Sequence, residues 1–115
     1  RIEKLLLSLK PLNPEATVTV TGGFERMPLE RTPGTVALFE IARRIGEAMG
    51  RHLEEGSSGG GSDGNFTAAM GVPTLDGLGV VGDGAHAEHE YIEVASLPER
   101  ATVLAGLLCE VDEIP

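Results

Sequence analysis

Gly59-Gly60-Gly61-Ser62-Asp63-Gly64-Asn65 is the stretch on which the reading of this chain turns. It stands between His52-Leu53-Glu54-Glu55, which reads as a short strand, and Ser62 to Met70, which can form a short helix ending near Gly71. A flexible Gly/Ser linker has the same composition. A linker joins domains, however, and this run joins two small elements. Successive glycines ahead of a helix leave bare N–H groups that can hold an anion or a carbonyl oxygen. No lysine follows the last glycine, so the run is not a phosphate loop. The dinucleotide pattern G-x-G-x-x-G has no fitting context here.

Upstream of this run, Leu38, Ile41, Ala42, Ile45 and Met49 recur at helical spacing. Thr32 is suited as N-cap, Pro33 as first helical residue and Gly50 as the stop. Ile2, Leu5, Leu6 and Leu9 form a second, shorter stripe, closed by Pro11 and Pro14. Thr17 to Thr21 alternates as a strand, with Val18 and Val20 on one face. Downstream, Pro73 to Gly79 reads as a buried strand opening into a loop. Ser96-Leu97-Pro98-Glu99 matches a capping box, in which Ser96 and Glu99 satisfy each other's free N–H groups. Leu97, Ala101, Leu104, Leu108 and Val111 continue it as an apolar stripe. This alternation predicts an α/β fold.

The chain has 115 residues, nine Lys+Arg against eighteen Asp+Glu, and a net charge of −9. That balance excludes a binder that tracks phosphates along a nucleic acid. No apolar run approaches the roughly 18 to 20 residues of a membrane span. No basic-then-apolar leader opens the sequence, and a cytoplasmic protein is expected. Cys109 is the lone cysteine, which excludes an internal disulfide and a thiolate metal site. It is expected to be a buried, inert thiol. Sixteen glycines, three Phe, one Tyr and no Trp suit a backbone that turns tightly or approaches other groups closely. The opening at Arg1, inside an expected helix, points to a piece of something larger.

A second candidate stretch is Gly82-Asp83-Gly84-Ala85-His86-Ala87-Glu88-His89-Glu90-Tyr91. Small neighbours let the His86 imidazole reach a crowded site, and Glu90 follows four residues later. One histidine does not close a zinc site, which takes three or four N, O or S ligands.

Taken together, Gly59 to Asn65, Gly71-Val72-Pro73-Thr74, Gly79, Gly84-Ala85-His86 and Glu90-Tyr91 resemble one family. They look like the C-terminal third of a two-zinc metallopeptidase/deacylase of the glutamate carboxypeptidase, acetylornithine deacetylase and succinyl-diaminopimelate desuccinylase family. The resemblance runs over nearly the whole chain and is most specific from Gly59 to Arg100. It implies a two-domain zinc-exopeptidase-like fold, a mixed sheet flanked by helices and interrupted by an α+β lid. Residues 1–27 would be the second half of that lid, and 28–115 the C-terminal part of the catalytic domain.

The resemblance also implies roles. His86 matches the last zinc ligand, in a site of two zinc ions per subunit that cobalt or manganese could replace. Glu90 matches the acidic residue behind that ligand, supporting it without binding metal. Gly59, Gly60, Gly61, Ser62 and Asp63 match the segment lining the substrate cleft, and Arg26 a contact to the substrate carboxylate. The implied activity is hydrolysis of an amide or peptide bond next to a carboxylate, in an acyl-amino acid or peptide. The glutamate carboxypeptidase-like branch is the nearest. The other metal ligands and the general base would lie upstream of Arg1, so this segment alone should be inactive. The lid implies a homodimer, with no nucleic acid and no membrane as partner. A different reading is a non-catalytic homologue, or a dimerisation or scaffold fragment.

Overall fold

The structure, a computed structural model, describes residues 1–111. The end of the segment expected as catalytic domain, 112–115, lies outside the described residues. Helices α1 (Ile2–Leu7), α2 (Pro33–Ala48) and α3 (Gly64–Ala69) precede a hairpin of β1 (Gly82–Asp83) and β2 (Tyr91–Ile92). Helix α4 (Ser96–Glu110) follows. The strands pair antiparallel, Gly82 opposite Ile92 and Asp83 opposite Tyr91.

Helix α2 starts and stops as its sequence dictates. Thr32 Oγ1 accepts from the Thr35 N–H at 3.2 Å, and Pro33 occupies the first position, where no N–H is needed. At the other end Gly50 takes φ 73°. Its N–H reaches the Glu47 carbonyl and that of Arg51 the Gly46 carbonyl, at 2.9 and 2.8 Å. This is the paired closure that a left-handed residue permits.

The core lies between α2 and α4. Ala42, Val103 and Leu107 are buried, with Ile41, Ile45, Met49, Leu53, Leu75 and Leu78 packed around them. The face that α4 buries is not the expected one. Leu97, Leu104, Leu108 and Val111 are exposed, Leu108 by 69%. The reason is Gly106, whose missing side chain lets α2 come close: a Cβ there would stand 2.7 Å from Ile45 Cδ1. Val103 and Leu107 flank that approach and follow it inward.

The expected capping box does not form. Ser96 is the first helical residue and is buried. Its hydroxyl donates to the Glu93 carbonyl at 2.7 Å and accepts from the Val81 N–H at 3.0 Å. Its oxygen is committed to the hairpin, and Glu99 instead pairs with Arg51 across to the end of α2. Cys109, expected to be buried, is exposed, because it lies off the face turned toward α2.

The strands expected at 17–21, 52–55 and 73–79 are not hydrogen-bonded strands among the described residues. A strand is completed by a neighbour, and none of these segments has one. Among the described residues, the strand pairing is that of one two-stranded hairpin. Helix α1 buries no residue, and its Ile2 and Leu5 are each 66% exposed. The radius of gyration is 19.7 Å, against about 13 Å for a compact domain of ~100 residues. The accessible surface is 9173 Å², where a compact monomer of this mass would show about 6,000 Å². No helix among the described residues is long and apolar enough to cross a membrane.

Candidate functional site

The glycine run is a pinned turn. Gly60 N–H donates to Ser58 Oγ at 3.1 Å, Gly64 N–H to Ser62 Oγ at 3.1 Å, and Ser62 N–H to Asn65 Oδ1 at 2.8 Å. Short polar side chains that bond backbone groups two or three residues away hold such turns. Thr67 fastens the helix that follows, bonding the Gly64 carbonyl at 3.0 Å and meeting the Thr74 hydroxyl at 2.8 Å.

Onto this turn the fold brings Arg26, from the crossover ahead of α2. Its Nη2 stands 3.5 Å from Asp63 Oδ1, and its guanidinium lies 4.5 Å from the centre of the Phe66 ring. A Cβ on Gly61 would lie 3.3 Å from Arg26 Cδ and Nη1. Arg26, Gly61 and Asp63, separate in sequence, are thus one cluster. The Asp63 side chain is 99% exposed, and an ion pair in that setting holds by about 0 to 1 kcal/mol. A guanidinium carries five N–H donors in a fork that matches a carboxylate. An incoming carboxylate can therefore take the place of Asp63 at little cost.

His86 sits elsewhere, in the loop joining β1 to β2. Its φ is 67°, the left-handed region, which costs a residue with a Cβ roughly 1–2 kcal/mol. The loop is tied by Ala87 N–H to the Gly84 carbonyl at 2.8 Å and Glu90 N–H to the Ala87 carbonyl at 3.1 Å. Glu90 Oε2 accepts from the His86 main-chain N–H at 3.3 Å. Glu90 therefore holds the backbone of His86, not its ring. Among the described residues no hydrogen bond joins this loop to the Arg26 cluster, and no three His, Cys, Asp or Glu side chains are grouped to hold a metal. One imidazole by itself does not make up a zinc centre, which takes three or four donors.

A third polar feature anchors the crossover. Arg31 and Glu55 form a bidentate pair, at 2.8 and 2.9 Å. The hydrogen bonds from Arg31 hold the Glu55 carboxyl below its usual range, and Glu55 in turn raises Arg31. The pair borders a cavity of about 520 Å³ that Leu29, Phe39, Leu53 and Leu75 also line. Sequence reasoning did not single out Phe66 or the Arg31–Glu55 pair. The signal for Phe66 was its aromatic ring three residues after Asp63. For the ion pair there was none, because 24 residues separate its members.

The profile described as peptidase family M20/M25/M40 matches residues 10–110. Over 66 residues the chain is 33% identical to carboxypeptidase G2 of Pseudomonas sp. (strain RS-16), covering 56% of this chain and 16% of that protein. Over 73 residues it is 34% identical to the uncharacterized protein YqjE of Bacillus subtilis (strain 168), covering 64% of this chain and 19% of that protein. The matches thus span less than a fifth of either relative's length. No solved structure matches the chain.

Proposed function

We propose a function from one premise: the chain belongs to peptidase family M20/M25/M40. The complete protein is a metal-dependent hydrolase of an amide or peptide bond next to a carboxylate, in an acyl-amino acid or peptide. This segment supplies its carboxylate-binding side. The observation that carries the reading is Arg26 laid over Gly61 and Phe66 with, among the described residues, only an exposed Asp63 against it. The similarity to a carboxypeptidase points the same way. Residues 1–27 are assigned to a lid through which the protein dimerises, and 28–115 to the catalytic domain. The exposed α1 stripe supports that division, since it needs a cover.

His86 is assigned as one ligand of a two-zinc site, with Glu90 fixing its backbone. Cobalt or manganese could stand in for zinc. The strained φ at His86 supports this, because strain persists where a position is held for function. The remaining donors come from outside the segment.

The test is made on the complete protein. Arg26→Ala should raise KM for N-benzoyl-L-glutamate by about tenfold to a hundredfold, the worth of a charged hydrogen bond of ~1.5–3 kcal/mol. KM for the α-carboxamide of the same compound should change far less. An equal rise for both compounds refutes the carboxylate assignment. His86→Ala should halve bound zinc and abolish turnover. A non-catalytic scaffold, the second reading, is favoured by the exposed apolar faces of α1 and α4. It predicts no turnover of any N-acyl amino acid by the metal-loaded wild type.

A further inference from the structure

Asn65 is the side chain that ties the glycine run to the main chain carrying Arg26. Its Oδ1 accepts from the Ser62 N–H and its Nδ2 donates to the Met27 carbonyl, both at 2.8 Å. A side-chain amide offers a donor and an acceptor from one plane, and both are used. Met27 follows Arg26 directly, is exposed and belongs to no helix or strand. Packing therefore does little to orient this part of the crossover. Fixing the Met27 carbonyl fixes the backbone from which the Arg26 side chain departs. The next residue, Phe66, lies against the guanidinium at the other end of that side chain. Residues 65 and 66 thus hold Arg26 at both ends.

We propose that Asn65, assisted by Phe66, is a positioning residue that aims the Arg26 guanidinium at the substrate carboxylate. The inference rests on the reading of Arg26 given above. Asn65 itself touches no substrate; its effect passes through Arg26 and falls on binding.

The test is a double-mutant cycle in the complete, metal-loaded protein with N-benzoyl-L-glutamate and its α-carboxamide as probes. Asn65→Ala should raise KM for the acid about tenfold with kcat nearly unchanged, and leave KM for the carboxamide within about twofold. In an Arg26→Ala background, Asn65→Ala should add nothing. Phe66→Leu, which leaves the turn's hydrogen bonds intact, should raise KM for the acid about two- to fivefold, again only while Arg26 is present. It carries the test should Asn65→Ala fail to fold. The proposal is overturned if the factors multiply in the double mutants, if both probes lose affinity equally, or if kcat falls with KM unmoved. If Arg26→Ala alone leaves KM for the acid unchanged, or wild type turns over no N-acyl amino acid, the Arg26 reading fails and takes this inference with it. An effect of Arg26→Ala beside an additive cycle overturns the role of Asn65 alone.

Discussion

Substituting Gly106 by alanine sets two known effects against each other at one atom. Alanine is a better helix former than glycine by about 1 kcal/mol, and α4 is otherwise regular around it. Against this, the new Cβ would lie 2.7 Å from Ile45 Cδ1 and 3.3 Å from both Cγ1 and Cγ2, where comfortable carbon contacts begin near ~3.5 Å. Rotation about χ2 can withdraw Cδ1. It cannot withdraw the two γ carbons, because a β-branched side chain in a helix is nearly fixed at χ1. The helices must separate by a few tenths of an ångström along the contact that buries Ala42, Val103 and Leu107. Overpacking of this kind costs about 1–3 kcal/mol, so the net effect is a destabilisation of ~1 kcal/mol. Ile45→Val removes Cδ1 at a cost of about 0.5–1.5 kcal/mol on its own. Combined with Gly106→Ala it should give a protein more stable than the sum of the two predicts, by ~0.5–1 kcal/mol. Urea denaturation of the four species, compared at constant m, reads this directly. A higher midpoint for Gly106→Ala alone would mean that α4 does not bury this face.

Three further outcomes follow from the described geometry. Ser96→Ala should cost about 1–3 kcal/mol by stranding the Val81 N–H, and should add fully to Glu99→Gln in thermal unfolding; coupling between them would restore the capping box. His86→Gly should leave stability unchanged or raise it by up to about 1 kcal/mol, as relief of left-handed strain outweighs the entropy of glycine, whereas a loss of stability would show the loop geometry to be otherwise. Glu55→Gln should lower the urea midpoint at neutral pH. Because Arg31 depresses the folded pKa of Glu55, its stabilisation is present above the ordinary carboxylate value and is lost as pH falls through the depressed one. The difference between wild type and variant should therefore vanish in acid, and a gap independent of pH would refute the pairing.

Local signals were legible and pairing was not. Thr32, Pro33 and Gly50 bound α2 because caps and stops depend on residues within one turn, and sequence shows those. Ser96 matched a local pattern as well, but a hydroxyl has one oxygen, and the unpaired Val81 N–H claimed it. The apolar residues of α4 occupy two faces, and hydrophobicity alone could not rank them. Gly106 decided between them through a partner 61 positions away. The segments at 17–21, 52–55 and 73–79 carry strand-forming composition, yet a ladder needs a second edge. At the candidate site, the run from Gly59 to Asp63 could be told from a linker by its place between two small elements, while the side-chain bonds that pin it as a turn show only in the structure. That Arg26 lies upon it had no local signal, since no spacing rule connects residues 37 apart.

The way the site is held follows from how little of the chain is packed. Among the described residues three buried apolar side chains between α2 and α4 form the core, and Arg26 and His86 are both exposed outside it. Each is held instead by polar pins: Asn65 on the Met27 carbonyl, Arg31 on Glu55, Glu90 on the His86 N–H. Exposed pins of this kind contribute little to stability, but they are directional. They select a geometry without enforcing it. Enforcement comes from excluding water, and the surplus surface shows where that can act: the α1 stripe and the outer face of α4 are apolar and uncovered, and the cavity beside Leu53 and Leu75 is lined by apolar and charged side chains together. Covering the cavity would lower the local dielectric around the Arg31–Glu55 pair that borders it and strengthen their attraction. At that pair, completing the fold and tuning a polar contact are therefore the same event.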